Sequence, residues 1–240
     1  MSVVPKGLFI TLEGGEGSGK STQARLLADY VRQQEIPVVH TREPGGTSIA
    51  ESVRRVLLHP KGRVAPLTEL LLYQAARAQH LAEIVSPALR AGSVVICERF
   101  TDATEAYQGY GRGLNLSQIR VLNDIATGCL RPDRTFLLDV PVPKGLSAAR
   151  GLAKRLSRHG AKARGGDRME RESSLFHERV RRGYLALARR DPRRFRKISW
   201  GRPVAEVHAQ IRIDVDQFLS DRFPRVRSKP GPSRARGPRS

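Results

Sequence analysis

The chain has 240 residues, of which 39% are hydrophobic and 28% charged, and a formal net charge of +20. That length and apolar content suffice for one globular domain with a sizeable core, and no apolar run approaches the roughly 20 residues of a membrane helix. Two cysteines, Cys97 and Cys129, cannot form a disulfide framework, and Met1 to Gly7 carry no apolar signal segment, so a cytoplasmic protein is expected.

The charge is spread over clusters between Arg150 and Arg171, between Arg179 and Lys197, and in a tail. From Asp221 to Ser240 seven Lys/Arg face one Asp. Aromatic residues make up 5% of the chain, which leaves little base-stacking surface. A basic surface with phosphate sites therefore fits better than a dedicated nucleic-acid groove.

In chain order, Leu8–Leu12 is a short apolar run ending in a Gly-rich turn, and Lys20–Gln33 has helical spacing. Ile36–His40 reads as a strand. Ser48–Leu58 and Leu67–Leu89 read as helices, with Pro66 at a helix start. Val94–Cys97 is a third strand, Leu116–Ile125 a helix, and Thr135–Val140 a fourth strand. Gly145–Leu156 and Ser173–Arg189 are helical, Phe195–Ser199 a fifth strand, and Val204–Phe218 a last helix. Strands alternating with helices predict an α/β fold with a parallel sheet covered on both faces. Ser157–Asp167 is Gly-rich and basic and reads as a mobile loop. Pro224–Ser240 lacks a core-forming pattern and is expected to be disordered.

Gly14-Gly15-Glu16-Gly17-Ser18-Gly19-Lys20-Ser21 fits the phosphate-loop pattern, directly after a strand and opening a helix. Glycines let backbone N–H groups turn inward around phosphates. Lys20 brings a positive charge to the β- and γ-phosphates, and the Ser21 hydroxyl is a ligand type for Mg²⁺. With Thr22 these residues form the expected ATP-binding set. The loop defines a triphosphate site but no acceptor. Strand two leads into Thr41-Arg42-Glu43-Pro44-Gly45-Gly46-Thr47, and strand three into Glu98-Arg99-Phe100-Thr101-Asp102. An arginine at each strand end can grip a phosphate, and Glu98 is placed to hold Mg²⁺ directly or through water.

The segments FITLEGGEGSGKST, TREPGGT, LLYQAARAQH, ERFTDATEAYQGYGRG, PDRTFLLDV and GGDRMERES resemble bacterial thymidylate kinase, in this order and spacing, over about residues 7–218. The resemblance implies ATP-dependent phosphorylation of dTMP to dTDP on the route to dTTP. It also implies a homodimer and a three-layer P-loop NTPase fold, with a five-stranded parallel sheet and a mobile lid. A single kinase domain over residues 1–220 is expected, with a lid at about 151–168 and a basic tail at 221–240. For that tail, a solvated segment is favoured over a nucleic-acid or acidic partner.

By the same resemblance, Arg99 and Arg42 hold the dTMP phosphate, with Arg54 as a further candidate. Tyr73 stacks on thymine, and Arg77, one helical turn later, hydrogen-bonds the base. Thr104 and Tyr107 approach the base edge and deoxyribose, with Gln108 beside them. Glu16 faces the sugar 3′-hydroxyl or the metal's water shell, and the Glu43–Pro44 bond is expected to be cis. Glu98 and Tyr73 stand where many relatives carry Asp and Phe.

Some thymidylate kinases carry an arginine within the phosphate loop; this chain has Glu16 and no arginine until Arg25. The compensating charge is expected from the lid, with Arg168 and Arg155 or Arg164 as γ-phosphate contacts and Arg150 stacking on adenine. Two other readings remain open from sequence: another nucleoside or nucleotide kinase of this fold, and a nucleic-acid-binding ATPase.

Overall fold

A computed structural model describes residues 7–60, 62–158 and 168–223. Five strands form one parallel sheet in the order β2-β3-β1-β4-β5. They are β1 (Leu8–Glu13), β2 (Val38–Arg42), β3 (Val94–Glu98), β4 (Arg134–Asp139) and β5 (Phe195–Ser199). The helices between them are α1 (Lys20–Gln33), α2 (Ser48–Leu57), α3 (Pro66–His80), α4 (Ser86–Arg90), α5 (Thr101–Thr104) and α6 (Leu116–Thr127). After β4 come α7 (Val142–Arg158), α8 (Ser174–Arg190) and α9 (Val204–Arg222).

The alternation of β1 builds two core layers at once. Leu8, Ile10 and Leu12 pack with Leu27 and Val31 of α1 and Ile211 and Val215 of α9. Phe9 points to the other face, among Leu81, Val85, Leu89 and Phe100. Both faces are dry, as a central parallel strand requires. Because β1 lies between β3 and β4, the chain reverses its direction of travel across the sheet beside the carboxyl end of β1. Ligand clefts of open α/β sheets form at such a point.

Three segments differ from the sequence expectations. The helix expected over Leu67–Leu89 is α3, a wider π-helical turn at Leu81–Val85, and α4. Pro87 has no N–H and its ring would strike the carbonyl four residues earlier, and the widened turn just before it relieves both demands. Strand two lies two residues later than expected and carries Arg42 within it. Residues Thr101–Gly111, given no element in the sequence reading, form α5 and a second π-helical segment, Glu105–Gly111. Glycines make that segment a poor helix by propensity; tertiary packing on α8 supplies the reason for it. A Cβ on Gly183 of α8 would lie 2.7 Å from the Tyr110 ring, and one on Gly111 would lie 2.7 Å from Phe176.

α7 extends through Arg158, so Ser157 and Arg158, expected in a loop, are helical. The remainder of that expected loop and the tail from Pro224 lie outside the described residues. Among the described residues no helix is long and apolar enough to cross a membrane.

Candidate active site

The phosphate loop joins the buried end of β1 to α1. Its backbone lies tight against the first turns of α7: a Cβ on Gly17, where φ is 64°, would sit 2.0 Å from the Gly145 carbonyl oxygen. Only glycine satisfies both that angle and that approach. Gly19 precedes α1 with φ 89°, and no side chain caps the helix, so its first N–H groups are available to an anion. The Lys20 ammonium donates to the Gly14 and Gly15 carbonyls at 3.1 and 2.7 Å and to Ser18 Oγ at 3.2 Å. Burial, with Arg99 nearby, pushes its pKa down to about 8 against the pull of Glu16, Glu13 and Glu98. The Ser21 hydroxyl donates to Glu98, whose other oxygen meets His40 Nε2 at 3.1 Å. Burial raises the Glu98 carboxyl, but His40, Ser21 and Lys20 outweigh it and hold it ionised.

Beside this loop lies a pocket lined by Glu16, Arg54, Tyr73, Arg77, Arg99, Thr104, Tyr107 and Gln108 together with Pro44 and Met169. The first eight of these, predicted from the sequence, come from the phosphate loop, α2, α3, the end of β3 and the segment after it. The Glu43–Pro44 bond is cis, as expected. Arg99 adopts φ 66° at the strand end and donates to the Gly14 carbonyl at 3.2 Å and to Glu16 at 2.7 Å. The Tyr107 hydroxyl donates to the same Glu16 oxygen at 2.7 Å. Burial alone would raise the Glu16 carboxyl; Arg99 and Lys20 prevail and lower its pKa to about 2. Arg54 reaches the Pro44 carbonyl at 2.8 Å.

Two residues expected at the acceptor site sit differently from that expectation. Arg42 pairs with Glu51 at 2.8 Å, half-exposed, and is not among the residues lining the pocket. It occupies the last position of β2, so Glu43 rather than Arg42 turns inward. Arg77 is buried, and all five of its N–H donors are engaged. Its partners are Glu43 at 2.7 Å, Gln74 at 3.0 Å, Asn123 at 2.8 Å, the Phe100 carbonyl at 3.0 Å and Thr104 Oγ1 at 2.9 Å. A guanidinium has no more to give, so Arg77 acts on the pocket through Thr104 and Glu43 in this arrangement.

The Thymidylate kinase family model matches residues 12–211. The chain is 49% identical over 214 residues to a thymidylate kinase of Gloeobacter violaceus, covering 89% of this chain and 97% of that protein. It is 53% identical over 216 residues to one from Geotalea uraniireducens, covering 90% and 99%. The crystal structure of thymidylate kinase from Ehrlichia chaffeensis superposes with a TM-score of 0.68 at 37% identity, covering 88% of this chain and 98% of that one. The chain belongs to the thymidylate kinase family.

As in any kinase, charge built up on the transferred group has to be met by cations, and the expected lid set is only partly described. Arg155 lies exposed on α7 and Arg150 is also exposed there; Arg164 lies outside the described residues. Arg168 does not stand free toward a triphosphate. Its Nη2 pairs with Glu69 at 2.6 Å, and its Nε donates to the Leu57 carbonyl at 2.8 Å. It is fastened to α2 and α3, beside the pocket lined by Met169 and Arg99.

For a thymidylate kinase the sequence reading missed three buried carboxylates beneath the pocket. Glu43 holds Arg77 and His80. Glu69 holds Gln108, Arg112 and Arg168. Glu13 accepts from the Phe100 amide at 2.7 Å and from the Tyr184 hydroxyl at 2.8 Å. Glu13 had a visible signal, since it ends an apolar strand just as Glu98 does. The reading also missed a second pocket, of about 200 Å³, beyond the phosphate loop. It is lined by Gly17, Thr22, Gln23, Ile198, Trp200 and Arg202 among others. Arg150 is not among its lining residues.

Proposed function

We propose that this chain transfers the γ-phosphoryl group of ATP to dTMP, giving dTDP and ADP. One observation carries the reading. Arg99 lines the acceptor pocket and also hydrogen-bonds the Gly14 carbonyl and Glu16 of the phosphate loop, so donor and acceptor subsites meet at a single guanidinium.

The attacking atom is an oxygen of the acceptor phosphate, already anionic near neutral pH, so no general base is needed. What remains is positioning and charge neutralisation. Arg99 and Arg54 orient the acceptor phosphate, while Tyr107, Thr104 and Gln108 face the nucleoside. Tyr73 offers a half-buried ring at the same wall. Lys20 and the first N–H groups of α1 hold the donor phosphates. The pocket at Trp200 and Arg202 fits the donor base better than stacking on Arg150 does. Arg155 and Arg164 remain the lid candidates for the γ-phosphate. Arg42 joins the acceptor phosphate only by leaving Glu51, and Arg168 the γ-phosphate only by leaving Glu69.

The Ser21 hydroxyl and the Glu98 carboxylate supply converging hard oxygen donors, a chemistry that suits Mg²⁺ completed by phosphate oxygens and water. When bound, Mg²⁺ neutralises phosphate charge. A homodimer is supported by exposed apolar side chains on three adjacent helices: Ile49 and Val56 of α2, Leu67 and Leu71 of α3, Val121 and Ile125 of α6. The free thiols of Cys97 and Cys129 fit a reducing cytoplasm.

Incubation with γ-labelled ATP and dTMP tests the reading. Label recovered in dTDP is the expected result. Label recovered only in inorganic phosphate, with release stimulated by DNA, would instead favour a nucleic-acid-dependent ATPase.

A further inference from the structure

Glu69 is completely buried in α3, yet it faces three donors. Its Oε1 accepts from Gln108 Nε2 at 2.7 Å and from Arg112 Nε at 3.2 Å. Its Oε2 meets Arg112 Nη2 at 3.1 Å and Arg168 Nη2 at 2.6 Å. Burial would raise this carboxyl, but Arg112, Gln108 and Arg168 together lower its pKa. The group is therefore an ionised carboxylate, which accepts hydrogen bonds and donates none.

That fixes the otherwise ambiguous end of a neighbouring amide. Only the NH₂ of Gln108 can face an ionised carboxylate, because its carbonyl oxygen would be repelled. The carbonyl oxygen is the amide atom turned away from Glu69, and Gln108 lines the acceptor pocket beside Thr104 and Tyr107. Arg77, the other polar group expected to read the base, has every donor engaged. An acceptor held at this point takes the N3–H of a pyrimidine-2,4-dione such as thymine or uracil. It opposes the unprotonated N3 of cytosine, where two lone pairs would meet.

We propose that Glu69 is the positioning residue that sets base preference in the acceptor pocket, by locking the Gln108 amide with its oxygen toward the base. Through Arg168 the same carboxylate also holds the segment that leads into α8. The inference rests on the reading that this pocket takes a nucleoside monophosphate.

The test is kcat/KM for dTMP and dCMP in the full chain and in Gln108→Leu, Glu69→Gln and the double variant. An amide at position 69 can present either end, so Gln108 becomes free to turn over. Glu69→Gln should lower the dTMP-to-dCMP ratio about tenfold, mainly through KM for dTMP, and should add nothing in the Gln108→Leu background. A purely structural role would lower both substrates alike; an unchanged ratio, or full additivity in the double variant, overturns the proposal. If Gln108→Leu leaves KM for dTMP unchanged, Gln108 does not read the base and the proposal is overturned, whereas an unchanged dTMP rate in Arg99→Ala is the result that would sink the acceptor-pocket reading. Should Glu69→Gln not fold, unmodified enzyme decides. An N3-methylated dTMP should bind at least about tenfold more weakly than dTMP, and equal affinity overturns the proposal.

Discussion

The guanidinium of Arg99 donates to the Glu16 carboxylate at 2.7 Å, which makes the acceptor-side arginine and the third residue of the phosphate loop one charge pair. Each lies in the other's field: Glu16 is held ionised chiefly by Arg99, and Arg99 is held charged chiefly by Glu16 against its burial. In the proposed reaction, an acceptor phosphate beside them would compete with Glu16 for this donor.

Replacing Arg99 should therefore lower kcat more than it raises KM for ATP. Arg99→Ala is expected to reduce kcat by about 10²–10³, the scale found for removing one preorganised donor. Arg99→Lys should recover little, because an ammonium cannot reproduce two hydrogen bonds from a planar fork. Steady-state rates at saturating ATP would check both.

Two carboxylates in the field of Arg99 should respond to pH with opposite signs. Glu16 has its pKa lowered from 4.5 to about 2. Its stabilising contribution is complete above the unfolded value and is lost as pH falls through the folded one. Glu13 is raised from 4.5 to about 7, by burial first and by Asp102 next. Its contribution is complete below the unfolded value and is lost as pH rises through about 7. Melting temperatures across pH should thus show Glu16→Gln converging on the parent in acid. Glu13→Gln should gain on the parent between weakly acid and neutral pH. Parallel curves for either variant would contradict the assignment.

Gly183→Ala sets two effects against each other. Alanine favours a helix interior over glycine by about 1 kcal/mol. The new Cβ would meet the Tyr110 ring at 2.7 Å, with two further ring and Cβ atoms within 2.9 Å, and overpacking costs about 1–3 kcal/mol. The clash should win, leaving a net loss of about 1 kcal/mol in urea unfolding, with the acceptor pocket disturbed through Tyr107. A stabilised variant would show that α8 moves aside freely.

Removing residues 224–240 should leave kcat and KM unchanged, since the described helix α9 ends at Arg222 and, among the described residues, the two pockets draw on nothing beyond Val207. A loss of kinase activity on truncation would assign the basic tail a part in the reaction.

Much of the architecture was legible because its signals are local. Apolar runs marked the first four strands, and the Gly-rich octapeptide after β1 marked the loop. What sequence missed depends on distance along the chain. The Gly-bearing segment Thr101–Gly111 becomes helical only by packing on α8. The roles of Glu13 and Glu69 exist only once Tyr184 and Arg168 come back to meet them. Arg42 illustrates the limit in reverse: its place beside a cis proline was readable, but its pairing with Glu51 on α2 was not. Arg77 and Arg168 were marked as charges near ligands, and their burial against carboxylates needed the fold.

The central claim is that the Arg99 junction joins ATP to dTMP in particular. Initial rates of ADP release with dTMP, UMP, CMP and AMP as competing acceptors test it most directly. The account predicts the highest kcat/KM with dTMP and its collapse in Arg99→Ala. Rates with dTMP no faster than with the other monophosphates would contradict it.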